Sequence, residues 1–172
     1  MKKAFLTLAV LCTVAMMAGC KGGAANESTT DTTVAVTTTD TDTFNVDEWE
    51  RLAEKMRGND TLLPEEWSFL FQNIDKADGG YSEDMGYSLY ESIRRTGFLK
   101  NMEQDGLDKL SPERREQVLA SMIDLMSIDI MADEHTYTWA EFSDDLYVFR
   151  GSRAAEKAFE RINKEKKEES NR

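Results

Sequence analysis

The chain has 172 residues, a formal net charge of −12 and a sequence pI near 4.6. That balance argues against nucleic-acid binding, whose affinity comes from neutralising phosphates, and against lying flat on an anionic lipid surface. Cys12 and Cys20 are the only cysteines, His135 is the only histidine, and the length suits one modest core.

Residues 1–20 open with Lys2 and Lys3, followed by an uncharged apolar run from Ala4 to Ala18 that ends at Cys20. A spanning helix needs about 20 apolar residues, so the run reads as an export signal. Met17-Ala18-Gly19-Cys20 resembles the lipobox of bacterial lipoprotein precursors, with Met in the slot that usually holds Leu. The resemblance implies cleavage before Cys20, lipid on its sulfur and acylation of the new amino terminus. Two or more acyl chains hold a protein at a membrane where one binds only reversibly. Lys21 is not the Asp that retains enterobacterial lipoproteins in the inner membrane, and Gly22-Gly23-Ala24 lacks the acidic residues of Bacteroides-type surface lipoproteins. The expected address is therefore the outer membrane, facing the periplasm. Cys12 leaves with the signal and Cys20 is taken by lipid, so no disulfide is expected.

Residues 20–43 are dominated by threonine, with Val34 and Val36 as the only sizeable apolar side chains. Such a segment cannot bury enough surface to offset chain ordering and is expected to be a disordered tether. Fully extended it reaches about 75 Å, and relaxed about 25 Å. Thr32 and Thr61 each follow an Asp and precede a third residue in a pattern that Bacteroides-type periplasms O-glycosylate. Three-residue matches are weak in a Thr-rich chain.

From Phe44 the apolar period changes to about 3.6. The pattern predicts an all-α domain over residues 44–163, a single irregular bundle of six or seven short helices. Trp49, Leu52, Ala53 and Met56 form one face of the first helix, which Gly58-Asn59 ends. Pro64 opens the second, with Glu65 and Glu66 at its positive end and Trp67, Leu70, Phe71 and Ile74 inward. The third starts at Ser82 and turns Met85, Leu89 and Ile93 inward; a short fourth carries Phe98, Leu99 and Met102. Ser111-Pro112-Glu113 begins what should be the longest and most central helix, with apolar positions from Val118 to Ile130. Thr138 and Glu141 have capping-box spacing before a sixth helix through Phe149. The last helix packs Ala155, Ala158, Phe159 and Ile162, and residues 164–172 are expected to fray as a charged tail.

The negative charge concentrates in the body. Residues 44–150 hold 24 Asp/Glu against 11 Lys/Arg, whereas residues 151–172 hold 5 against 7. An acidic body suits a basic protein partner, because opposite fields speed encounter.

Catalytic machinery is not expected. The exported part has no free thiol, no Gly-x-Ser-x-Gly elbow and one loop histidine. One histidine without cysteine does not make a usual zinc site, so no metal and no cofactor are expected. The Asp75-Lys76-Ala77-Asp78-Gly79-Gly80 run matches an EF-hand loop only at its first and sixth positions. Glu65-Glu66, Asp133-Glu134 and Asp144-Asp145 are the acidic pairs available for glycoside chemistry. Tyr87, Tyr90 and Tyr147 are the candidate interface residues, because tyrosine joins a large apolar area to a polar tip.

The leading expectation is thus a lipid-anchored envelope protein with a non-catalytic, acidic, helical protein-binding domain. The alternatives are an enzyme acting on glycans or peptidoglycan through paired carboxylates, or a periplasmic immunity protein against a basic toxin.

Overall fold

In a computed structural model the described residues are 44–76 and 79–171, and the fold is all-α. The signal segment, the lipobox with Cys20, Thr32 and the rest of the expected tether to residue 43 lie outside the described residues. Among the described residues no helix is long and apolar enough to cross a membrane.

Eight α-helices follow one another among the described residues: α1 (Val46–Arg57), α2 (Pro64–Asn73), α3 (Gly79–Ile93), α4 (Thr96–Asn101), α5 (Pro112–Leu125), α6 (Ser127–Ala132), α7 (Trp139–Asp145) and α8 (Arg153–Ser170). Their ends follow local chemistry. Asn45 accepts the Glu48 N–H at 3.2 Å to start α1. Asn59, with a φ of 68°, turns the chain away after it. Leu63 precedes α2 and has no acceptor in its side chain; Glu66 reaches back to the Leu63 N–H at 2.7 Å, one half of a capping box. Thr138 and Glu141 make both halves before α7.

The inward faces close on one hydrophobic core. Trp49, Trp67, Phe71, Phe149 and Phe159 are its largest fully buried side chains. The principal pairings are α1 with α3, α5 with α8, and α3 with α6. Two close approaches set the geometry. A Cβ built on Gly86 of α3 would lie 2.1 Å from the Leu125 carbonyl oxygen, so α3 rests on backbone at the α5–α6 junction. A Cβ on Gly106 would lie 2.7 Å from the Phe71 ring and 3.1 Å from Trp67. That lets a π-turn at Met102–Gly106, which continues α4, lie flat on α2. Asn101 fastens the same corner, its Oδ1 accepting from the Trp67 indole at 2.9 Å and the Leu62 N–H at 3.1 Å.

Several boundaries differ from the sequence reading. The helix opened by Pro112 is not the longest; it breaks at Met126 (φ −84°, ψ 6°) and resumes as α6. This raises the expected six or seven helices to eight. The apolar period runs through the break unaltered, and Val118, Met122, Met126 and Ile130 are all buried. Helix α7 stops at Asp145, and a 3₁₀ turn at Tyr147–Phe149 carries Phe149 inward instead. Helix α8 is the longest, and the tail expected to fray from residue 164 is helical to Ser170. The Lys166 ammonium gives the reason. It donates to the carbonyls of Asp133 at 2.5 Å and Ile130 at 3.2 Å, capping the negative end of α6. At its other end, α8 receives a carboxylate from α5. Glu116 Oε2 accepts from the Ser152 hydroxyl at 3.0 Å and the Ala154 N–H at 3.1 Å.

Candidate interaction surface

The three tyrosines singled out from sequence fare differently. Tyr90 is buried, so it is not a surface contact; its hydroxyl donates to Asp133 Oδ2 at 2.7 Å. Tyr147 is half-buried, and its hydroxyl donates to Glu103 Oε2 at 3.0 Å. Tyr87 remains 50% exposed. Periodicity placed Met85, Leu89 and Ile93 inward and both Tyr87 and Tyr90 off that stripe. The stripe is wider than read, because α6 and the loop after it cover the Tyr90 side as well.

Tyr87 opens onto a groove of about 440 Å³ between the C-terminal ends of α1 and α3, lined by Met56, Arg57, Asn59, Glu91, Ser92 and Arg95. Arg95 is held in place there. Its guanidinium donates to Met56 O at 2.9 Å, Ser92 Oγ at 2.7 Å and Asn59 Oδ1 at 2.5 Å, and sits 5.2 Å from the Phe98 ring centre. A cation at the last carbonyls of α1 offsets the negative end of that helix. The left-handed turn at Asn59 aims the amide oxygen at it. Arg57 is paired with Asp84 on α3. The groove therefore joins an exposed aromatic ring to a positioned cation, two of the side chains favoured at protein contacts.

A second cluster ties α3 to the loop before α7. Arg94 donates to Asp133 Oδ2 at 3.0 Å and to the Tyr90 hydroxyl, with its guanidinium 4.1 Å from the Tyr90 ring centre. The His135 N–H donates to Asp133 Oδ1 at 3.0 Å. The Tyr90 hydroxyl, the His135 N–H and Arg94 hold the Asp133 carboxyl well down, at about 2, against a small opposing effect of burial. Burial, and then the hydrogen bond to Asp133, push the Tyr90 phenol up.

Because the Asp133 value in the fold lies below 3.8, the folded chain binds fewer protons there than the unfolded chain. The stabilisation is complete above about pH 5 and is lost as pH falls through about 2, amounting to about 2 kcal/mol. Asp124 and Asp129, both pushed up by burial, act in the opposite sense. Tyr90→Phe removes the largest contribution to holding Asp133 down. It is expected to cost about 1 kcal/mol at neutral pH and to flatten the acid limb of a urea-denaturation series taken from pH 7 to pH 2.

The remaining sequence candidates place as follows. Thr61 is exposed in the turn before α2. His135 is exposed, its ring edge-on to Tyr137 at 4.3 Å. Glu66 is not a solvated helix-end residue. It is buried and paired with Lys55 at 2.7 Å and Arg51 at 2.8 Å, so it is committed to joining α1 and α2. Asp144 pairs with Arg150 at 3.0 Å. Among the described residues no group of three or more His, Cys, Asp or Glu is placed to hold a metal ion. Sequence reasoning does not single out Arg94 or Arg95, and it offers Asp133 only as half of an acidic pair, not as the partner of Tyr90 and Arg94. The only local signal was the four-residue spacing of Tyr90 and Arg94, which puts them one turn apart on a helix.

No protein-family model, curated protein or solved structure matches the chain.

Proposed function

We propose that this chain is a lipid-anchored envelope protein whose helical domain is a non-catalytic module that binds another protein through the Tyr87 groove. The observation that carries the reading is the half-exposed Tyr87 beside a fixed Arg95, on a body with a large acidic surplus. The rigid ring supplies contact area at low entropic cost, and the preset guanidinium supplies orientation. The surplus charge steers a basic partner toward the domain. On α1 the cations Arg51, Lys55 and Arg57 are each spent on a carboxylate, while Asp47, Glu50 and Glu54 face outward or lie near the surface without an ion pair among the described residues.

A further observation supports binding over chemistry. The acidic pairs that a glycan-acting enzyme would use are partly committed: Glu66 to Arg51 and Lys55, Asp133 to Arg94, and Asp144 to Arg150. A carboxylate held by internal cations is not positioned to transfer a proton to a ligand. Attachment rests on the Met17-Ala18-Gly19-Cys20 resemblance, with lipid at Cys20 and the outer membrane, facing the periplasm, as the address.

The test is site-specific photocrosslinking in cells, with a photoreactive phenylalanine at position 87 of the full-length chain. A discrete protein adduct is expected from position 87 and none from exposed Lys157 on α8. The adduct should weaken when Glu50 and Glu54 are both changed to Lys. Absence of an adduct at 87, or equal adducts at both positions, would contradict the reading.

A further inference from the structure

A cleft distinct from the Tyr87 groove lies between the end of α3 and α7. It holds about 370 Å³ and is lined by Arg94, Tyr137, Phe142, Asp145 and Leu146. That is within the range of small-ligand sites, which are apolar with a few placed polar groups. Phe142 and Leu146 are buried and Tyr137 is half-buried, so three apolar side chains face the space. The Phe142 ring is wedged among Trp139, Phe149 and Phe159, with centres 6.0, 5.7 and 4.6 Å away. A side chain so packed does not collapse into the cleft.

The charged members differ from each other in a useful way. Arg94 is fixed by stacking on Tyr90 and by bonds to Asp133 and the Tyr90 hydroxyl, and both bonds use the same nitrogen, Nη2. Nη1, on the side away from the Nε–H, makes no hydrogen bond with the described residues, so its two N–H groups remain available as donors. Asp145 on α7 is exposed and has no ion pair among the described residues, whereas Asp144 beside it is paired with Arg150. One cleft thus offers a preset cation, an uncommitted carboxylate and a rigid apolar surface.

We propose that this cleft binds a zwitterion with an apolar body: an apolar amino acid, free or as a short peptide. The carboxylate accepts a charge-assisted bond from the Arg94 Nη1–H pair, and the ammonium faces Asp145. The apolar side chain covers Tyr137, Phe142 and Leu146. A fatty acid fits less well, because it brings a carboxylate toward Asp145 with no ammonium to answer it. This proposal does not depend on the Tyr87 reading, since the two sites share no residue.

The experiment is calorimetric titration of the full-length chain in mild detergent with four probes: L-phenylalanine, the dipeptide Leu-Phe, N-acetylphenylalanine and decanoate. Saturable binding is expected for phenylalanine or Leu-Phe, and the stronger of the two tells a free amino acid from a peptide. N-acetylphenylalanine and decanoate should bind at least about tenfold more weakly, the cost of a lost charge-assisted contact. Arg94→Gln should abolish binding. Because Arg94 also holds Asp133, Asp145→Asn is the independent variant: its side chain has no ion pair or hydrogen bond among the described residues, and the change should narrow the gap between phenylalanine and its acetylated form. No saturable binding of either zwitterion, decanoate binding as tightly as phenylalanine, or an unchanged probe ranking in Asp145→Asn would overturn the proposal.

Discussion

Gly86→Ala is expected to destabilise the domain by about 3 kcal/mol, the upper end for forcing one extra carbon into a packed core. The added Cβ would fall 2.1 Å from the Leu125 carbonyl oxygen and 3.0 Å from its carbon. Both are backbone atoms, so no rotamer change relieves the clash. Either α3 moves off the α5–α6 junction or the junction deforms. The first course separates Met85 and Leu89 from the core they fill, both fully buried. Gly97→Ala is the matched control. Nothing lies within 4 Å of its added carbon, and the residue sits in α4. It is expected to be neutral or to stabilise by about 0.5 kcal/mol through helix propensity. Urea denaturation of the two variants separates a close-approach effect from a general intolerance of alanine.

Glu66→Ala comes next, at about 3 kcal/mol. The carboxylate is 6% exposed and receives Lys55, Arg51 and the Leu63 N–H. Burial pushes its carboxyl up, and the Leu63 N–H, Lys55 and Arg51 together pull it further down, leaving it below the ordinary range. Removing one partner of a buried ion pair costs about 3–5 kcal/mol when the other stays buried. Arg51 is half-exposed and can turn to solvent, which holds the loss at the low end. Glu66→Gln keeps an acceptor for the Leu63 N–H and should lose less. Glu48→Ala removes a more exposed carboxylate from the same Arg51 and should cost no more than about 0.5 kcal/mol. If Glu48→Ala and Glu66→Ala were equally costly, the buried network would not be what fixes α1 to α2. A carboxyl below its ordinary value stabilises at neutral pH, so the gap between Glu66→Ala and the parent chain should shrink as pH falls below about 4.

The helices were legible wherever an apolar stripe coincided with a strong stop or start. Trp49, Leu52, Ala53 and Met56 behind Gly58, and Trp67, Leu70 and Phe71 behind Pro64, are buried as the period required. The capping box at Thr138 and Glu141 was readable because both partners are local. What escaped the sequence depends on contacts between distant residues. Met126 and Ile130 continue the period of α5 without a flaw, and only the approach of Gly86 to Leu125 marks the place where the helix is interrupted. Residues 164–170 are charged and locally unremarkable, and their helix is held by Lys166 reaching a carbonyl 33 positions earlier.

The same distinction applies to the candidate site. Tyr87 could be named from sequence because an aromatic residue stood off the inward stripe. Tyr90 stood off it too, and only the loop carrying Asp133 shows that it is covered. The fixing of Arg94 and Arg95 is legible only in its local part, the one-turn spacing of Tyr90 and Arg94. Each is held by acceptors from a different part of the chain, Asp133 for one and Met56 with Asn59 for the other. Charge balance places the acidic surplus in residues 44–150, but which cations are spent on internal carboxylates is a matter of tertiary contact.

The most direct measurement is a detergent phase partition of the full-length chain from a bacterium that processes lipoproteins, with mass spectrometry of its amino-terminal fragment. The account predicts recovery in the detergent phase, a fragment beginning at Cys20 that carries acyl chains, and transfer of Cys20→Ser to the aqueous phase. Recovery of the parent chain in the aqueous phase with an unmodified Cys20 thiol would contradict it.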